Sequence, residues 1–329
     1  MSLIRLVSVL LPTFTRAEAT ADSREALADS AAGNCSADLR STTSSILPVA
    51  LVGLVVSCPA IASSTWKQVA AWCSHHLVSE IHIVVKHPCH QIHPELQESG
   101  CRVHFREQAQ MTESLDQLLN NKMDRVSIIR RLRTVQQREL QRALDPAVDA
   151  VIVLDFDEAE IPGSGGLHLA LCRLRRERWD VLCANGRRRH GGARWATYDS
   201  FATVTSDNVW LHTSPIRNGV SIELYNKVVA SPVPVPVRSC FGGLSLFRRQ
   251  LWSGGRCTYL EKPSATFVTN VTLFGEPAGN YNEHLALLEC LRATLQSSGG
   301  PAEDLRVGIM RELKVTWAGP PKGLSLIHI

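Results

Sequence analysis

The sequence predicts an α/β fold: a mostly parallel central sheet covered by helices on both faces. Short apolar runs recur at Val49–Val56, Ile81–Val85, Cys101–Phe105, Ala150–Leu154 and Val181–Ala184. Between them, Ser64–Leu77, Arg125–Leu144 and Leu167–Arg178 carry apolar residues at helical spacing. Strands that alternate with helices in this way pair in parallel and need cover on both sides.

The elements follow in order. Trp66, Val69, Ala70 and Cys73 mark the buried side of the first helix, and Ile128, Leu132, Val135, Leu140 and Leu144 mark one face of the long second one, which stops at Asp145-Pro146. Ser231–Val237, with three prolines, reads as a polyproline-like connection rather than a strand interior. Residues 282–296 read as a helix. With 329 residues, 44% of them hydrophobic, the chain is too apolar for disorder. No linker interrupts it after residue 45. One domain over 46–318 is expected, after a flexible lead over 1–45 that is a targeting segment or incomplete. The tail at 319–329 includes Gly323–Ile329, which resembles translated adapter sequence.

Composition narrows the function classes. A net charge of +4 without dense Lys/Arg clustering suits a small anionic ligand and gives no reason to expect nucleic acid. The ten cysteines include no C-x-x-C pair, so zinc-knuckle spacing is absent; buried thiols and disulfides both remain open. The apolar run Leu6–Leu11 is short and stopped by Pro12, and Ile46–Ala62 is cut by Pro48 and Pro59 below the ~20 residues a spanning helix needs. No membrane anchor is evident.

The chemistry concentrates at Val151-Ile-Val-Leu-Asp155-Phe156-Asp157. Residues two apart on a strand share a face, so Asp155 and Asp157 converge while Phe156 packs the other way. Open α/β sheets bind ligands beyond the carboxyl ends of their strands. Two carboxylates brought together there repel unless a cation sits between them, and a hard divalent ion satisfies both. A solvated strand end is the plainer alternative. A haloacid-dehalogenase-like phosphatase, with Asp155 as nucleophile, is the chemical one. Glu158-Ala159 depart from the Gly-Thr/Val that such phosphatases place after the second Asp.

With these residues in place, the chain resembles eukaryotic GT-A glycosyltransferases of the group around the fungal capsule-associated mannosyltransferases. Four blocks between residues 125 and 290 carry the likeness. The first is Arg131-Leu132-Arg133-Thr-Val-Gln136-Gln137-Arg138-Glu-Leu140, where the group has R-L-A-x-x-R-N-x-x-L; its Arg-Asn pair is Gln136-Gln137 here. The second is Trp179-Asp180-Val-Leu-Cys-Ala184-Asn185-Gly186, followed by Tyr198-Asp199-Ser-Phe-Ala202. The third is Phe241-Gly242-Gly243. The fourth is Asn282-Glu283-His284, with Asn282 in place of the group's cysteine, so any local disulfide must differ.

The resemblance implies a GT-A-like single domain and a metal-dependent hexosyltransferase. It would move a sugar from a nucleotide-sugar donor to a hydroxyl of a glycan or protein acceptor. Asp155, Asp157 and His284 would hold Mn²⁺ or Mg²⁺, and Glu283 or Asp199 would act as base. Arg125, Arg131, Arg133, Asn185, Gly186, Gly242 and Gly243 would contact donor or acceptor. A Golgi or other secretory location follows from the same likeness. A glycosyltransferase-like binding protein without turnover is the alternative raised by Gln136-Gln137. His87, His90 and His93 are set aside as metal ligands because Pro88 and Pro94 prevent a common helical face.

Overall fold

The computed structural model describes residues 35, 48–55, 63–85, 94–107, 125–156, 158–190, 194–197, 202–211, 217–254, 256–261, 282–297 and 305–317. The expected lead (apart from Cys35), the tail, His87, His90, His93, Asp157 and Asp199 lie outside the described residues.

Among the described residues, eleven strands form one sheet: β1 (Val49–Val55), β2 (Glu80–Val85), β3 (Arg102–Glu107), β4 (Ala150–Asp155), β5 (Glu158–Glu160), β6 (Val181–His190), β7 (Arg194–Thr197), β8 (Val204–Thr205), β9 (Val235–Ser239), β10 (Leu244–Arg248) and β11 (Val307–Trp317). The helices are α1 (Ser63–Ser74), α2 (Pro94–Gln97), α3 (Arg125–Ala143), α4 (Ser164–Arg176), α5 (Arg217–Ala230), α6 (Arg249–Ser253) and α7 (Glu283–Ser297). No helix among the described residues is long and apolar enough to cross a membrane.

The sheet order is β3-β2-β1-β4-β10-β6-β11-β9-β8, with β5 on β11 and β7 on β6. The first four strands are parallel neighbours, as the alternating pattern predicts. Then β10 enters antiparallel between β4 and β6, while β6 and β11 pair in parallel. In direction, β1, β2, β3, β4, β6, β8 and β11 run one way and β5, β7, β9 and β10 the other. The α/β class with a mostly parallel sheet therefore holds, with a reversed strand at its centre.

Side chains of successive residues alternate across the sheet, so each central strand feeds two cores. Leu51, Ile152, Leu154 and Leu246 pack with Trp66, Val69 and Trp72 of α1 and with Leu167, Leu171 and Leu174 of α4. Ala50, Val52, Val151, Val153 and Phe247 pack with Leu140 of α3, Leu224 of α5, Trp252 of α6 and Leu287 and Leu291 of α7. The helices thus lie in two layers around a sheet buried on both faces.

Two expectations need correction. Ser231–Val237 is a connection only as far as Pro234, since Val235-Pro236-Val237 opens β9 and pairs with β11. The two-residue β8 pairs with β9 only at Val237 and Ser239, and Pro236 between the buried Val235 and Val237 is exposed. The face of α3 is also not simply apolar. Leu132, Leu140 and Leu144 are buried, but so are Arg133, Thr134, Gln136 and Gln137, while Val135 is only half-buried.

Eight described cysteines pair as Cys35–Cys172, Cys73–Cys101, Cys183–Cys240 and Cys257–Cys290. This resolves the choice between thiols and disulfides for these positions.

Candidate functional site

Asp155 is the last residue of β4 and points, like Val151 and Val153, to the α3–α7 side of the sheet; Phe156 goes the other way and packs on Trp66 with ring centroids 4.7 Å apart. The backbone N–H of Asp155 donates to the Gly243 carbonyl at 3.0 Å. Because β10 runs against β4, the Phe241-Gly242-Gly243 turn that precedes it lies at the carboxyl end of β4. The expected site residues of β4 and of this turn are therefore neighbours in space.

The turn also meets β6. Gly242 has φ +64°, and a Cβ placed on it would lie 2.3 Å from the Ala184 carbonyl oxygen and 3.0 Å from the Gly186 nitrogen. Gly186 reciprocates, since its Cβ would lie 2.6 Å from the Gly242 carbonyl oxygen. Both glycines are thus required where two backbones touch, and the left-handed turn favours glycine again. Gly243 has φ +85°. Asn185, next to Gly186 on β6, is buried. The Cys183–Cys240 disulfide ties the same two segments together.

The centre of the site is Arg133, whose side chain is 2% exposed. Its Nη2 donates to Asp155 Oδ1 and its Nε to Glu283 Oε1, the latter at 3.2 Å. The guanidinium lies over the rings of Phe241, 5.2 Å from the centroid, and Tyr259, 6.0 Å from it. A buried cation of this kind is tolerable only when charges and hydrogen bonds surround it. Although burial works against its charge, the Asp155 and Glu283 carboxylates hold it above the ordinary arginine value.

Glu283 is the first residue of α7, and neighbouring His284 stacks on Phe241 with centroids 3.7 Å apart and meets Tyr259 edge-on at 5.4 Å. Burial pushes the Glu283 carboxyl up against the pull of Arg133. Burial, and then Arg133, lower His284 well below the usual imidazole range, so its ring is neutral. Burial also pushes the Tyr259 phenol up to about 12, despite Arg133. Neither ring nitrogen of His284 has a hydrogen-bond partner among the described residues. The Asn282 side chain caps α7, accepting from the His284 N–H at 2.8 Å. Instead of a cysteine at 282, the local disulfide is Cys257–Cys290, which fixes the Tyr259 segment to α7.

Gln136 and Gln137 hold backbone rather than ligand. Gln136 donates to the Gly53 carbonyl at 2.7 Å, and Gln137 donates to the carbonyls of Trp252 at 2.8 Å and Cys257 at 3.2 Å. The positive charge near Asp155 therefore comes from Arg133, one turn earlier on α3. Arg125 opens the helix, and Arg131 is half-buried two residues before Arg133. Tyr259 and Trp252 were not anticipated beside the site, and Phe241 was read only as the residue that opens the third block.

Asp155 retains 28% exposure of its side chain, with Oδ1 engaged by Arg133. A carboxylate at a strand end with one oxygen still available fits one position of a hard divalent ion. Among the described residues, Asp155, Glu283 and His284 do not close into a three-ligand cluster. The arrangement offers a carboxylate rim backed by a fixed guanidinium and, on the other side of that guanidinium, the buried carboxyl of Glu283.

No protein-family model and no curated protein matches the chain. Solved structures that resemble it include the mannosyltransferase PcManGT from Pyrobaculum calidifontis in complex with GDP-Man and Mn²⁺, at 11% identity, with 92% of this chain and 68% of that one covered and a TM-score of 0.41. Another is Staphylococcus aureus TarS residues 1–349, at 10% identity, 82% and 60% coverage and TM-score 0.39. A third is Mycobacterium tuberculosis glucosyl-3-phosphoglycerate synthase with Mn²⁺, UDP-glucose and phosphoglyceric acid, at 11% identity, 87% and 77% coverage and TM-score 0.39. The chain spans 60% of TarS 1–349. At these scores the likeness is one of general chain path and assigns no activity.

Proposed function

We propose that the chain is a metal-dependent GT-A glycosyltransferase that moves a hexose from a nucleotide-sugar donor to a hydroxyl of a glycan or protein acceptor. One observation carries this reading. Arg133, Gly186 with Gly242, and Glu283 come from the four sequence blocks of the glycosyltransferase resemblance, and they meet around Asp155 at the carboxyl end of β4. Ligands of open α/β sheets bind at that edge.

In this reading Asp155 and Asp157 hold Mn²⁺ or Mg²⁺, and His284, whose ring nitrogens make no hydrogen bond among the described residues, is a further ligand. The ion, when bound, offsets negative charge on the departing diphosphate. Arg133 fixes the orientation of Asp155 and contributes fixed positive charge beside the diphosphate. Glu283, raised by burial, is the base that takes the acceptor proton, with Asp199 as the other candidate. Asn185, Gly186, Gly242 and Gly243 line the donor side; Arg125 and Arg131 lie on the helix that leads to it. The four disulfides support a secretory compartment such as the Golgi.

Calorimetric titration with UDP and GDP, with and without Mn²⁺, tests the assignment. Binding is expected only with the metal and is expected to be lost in Asp155→Ala. Unchanged metal-dependent binding in that variant overturns it. A folded protein with no nucleotide affinity would instead indicate a binding protein that has lost its donor site. A phosphorylated Asp155 would indicate the phosphatase chemistry.

A further inference from the structure

The outer edge of the sheet carries a second cluster that sugar transfer does not use. Glu80 and His82 are two apart on β2 and so share a face, and His104 of the edge strand β3 is the register partner of His82. One donor atom from each of the three lies within 4.8 Å of the other two. The two imidazoles stack with centroids 4.5 Å apart and planes 11° apart. Glu80 and His82 are buried, whereas His104 is exposed, so the cluster opens to solvent on one side.

The surroundings leave donor capacity unused. Arg102 approaches Glu80 Oε2 at 3.3 Å but makes its closer pair with Asp145 at 2.8 Å. The Asp145 backbone N–H donates to Glu80 Oε1 at 3.4 Å, and His82 Nε2 stands 3.6 Å from that same oxygen. Neither ring nitrogen of His82, whose side chain is 5% exposed, has a hydrogen-bond partner among the described residues. Buried polar atoms without partners are uncommon in folded proteins, and an unplaced ion is one of the standard reasons for them.

We propose that Glu80, His82 and His104 form a binding site for a divalent transition-metal ion of the Zn²⁺ class, with water as fourth ligand. Two imidazoles and one carboxylate form a donor set that Zn²⁺ takes when it keeps an open position. Mg²⁺ and Mn²⁺ favour oxygen donors, which makes this site chemically distinct from the Asp155 rim. A tetrahedral ion about 2.1 Å from each donor draws the donor atoms to roughly 3.4 Å from one another. That closure requires the exposed His104 side chain to shift towards Glu80 and His82. The ion would then pin β3 to β2 on the α3 side of the sheet, where His82 neighbours Val52. On the other side the Cys73–Cys101 disulfide already ties the start of β3 to α1.

Titration of the full chain, freed of metal by chelation and dialysis, with Zn²⁺ alone tests the site, with Co²⁺ as an optical probe. One Zn²⁺ per chain is expected to bind in the parent and equally in Asp155→Asn. His104→Ala is expected to weaken that binding at least tenfold and to remove the visible bands of four-coordinate Co²⁺. Circular dichroism of metal-free His104→Ala establishes that it is folded, and His104→Gln repeats the measurement with a side chain of similar length. Zn²⁺ binding unchanged in both His104 variants, or no Zn²⁺ bound by the parent, overturns the proposal.

Discussion

Arg133 Nε donates to Glu283 Oε1 at 3.2 Å across 150 residues of sequence, and the same guanidinium holds Asp155. One buried cation thus joins the middle of α3, the end of β4 and the start of α7. Removing it leaves two carboxyl groups facing each other without a counter-charge. Arg133→Met is expected to lose about 3–5 kcal/mol of stability in urea unfolding. Arg133→Lys keeps the charge but not the two-way fork, and should fall between that variant and the parent. Equal stability of Arg133→Met and the parent would show that the three elements are held together by something else.

Gln137 is a second link of the same helix, through its amide to the carbonyls of Trp252 and Cys257. Gln137→Leu leaves both carbonyls buried and unsatisfied. A loss of about 1–3 kcal/mol is expected, read from the midpoint of denaturant unfolding at constant slope. Gln137→Glu should be at least as costly, since it presents a carboxylate to two acceptors.

Gly242 and Gly100 form a matched pair for separating backbone strain from lack of space. Both have positive φ, +64° and +85°, but a Cβ at Gly242 meets the Ala184 carbonyl oxygen at 2.3 Å, while a Cβ at Gly100 meets nothing within 4 Å. Gly100→Ala is expected to cost about 1 kcal/mol, the price of the left-handed conformation alone. Gly242→Ala should cost distinctly more and should shift backbone amide signals of residues 184–186 in NMR spectra. Equal costs would mean that β6 and the turn are free to separate.

Tyr259 supplies a titration. Its phenol is pushed up to about 12 by burial, so the folded protein resists an ionisation that the unfolded chain undergoes near the ordinary tyrosine value of 10.0. A raised folded value stabilises below the unfolded one, and that contribution disappears as pH climbs from about 10 towards 12. In native protein, phenolate absorbance up to about pH 10.5 should therefore be the same for the parent and for Tyr259→Phe. A deficit in the variant below that pH would place Tyr259 in contact with water.

The parallel half of the sheet was legible because each strand is a short apolar run and each covering helix bears a local stripe. Leu51, Ile81 and Ile152 announce their strands without help from elsewhere. β10 and β11 were not read. The Leu244–Arg248 strand follows a glycine pair that reads locally as a bend, and β11 carries Arg311, Glu312 and Lys314 across a register shift between Met310 and Lys314, which spoils the alternation. The polar stripe of α3 was hidden for a different reason. Arg133, Gln136 and Gln137 are buried because Asp155, Gly53, Trp252, Cys257 and Glu283 bring partners to them, and no window around residue 133 contains those partners. Asp155 itself was legible because its strand position is local, whereas its counter-charge is not.

The reversed direction of β10 has a consequence for the order in which the molecule is completed. In a chain emerging from its N-terminus, β1, β2, β3 and β4 are all present by residue 155, so Asp155 exists at a finished strand end while its surroundings do not. The turn that accepts its backbone N–H arrives at residue 243, and the carboxyl that shares Arg133 arrives at residue 283. Until then the guanidinium has only one of its two acids. The charged centre is thus the seam that the latest-made segments close over the earliest-made ones, and a ribosome-bound chain stopped short of α7 would carry Arg133 and Asp155 without Glu283.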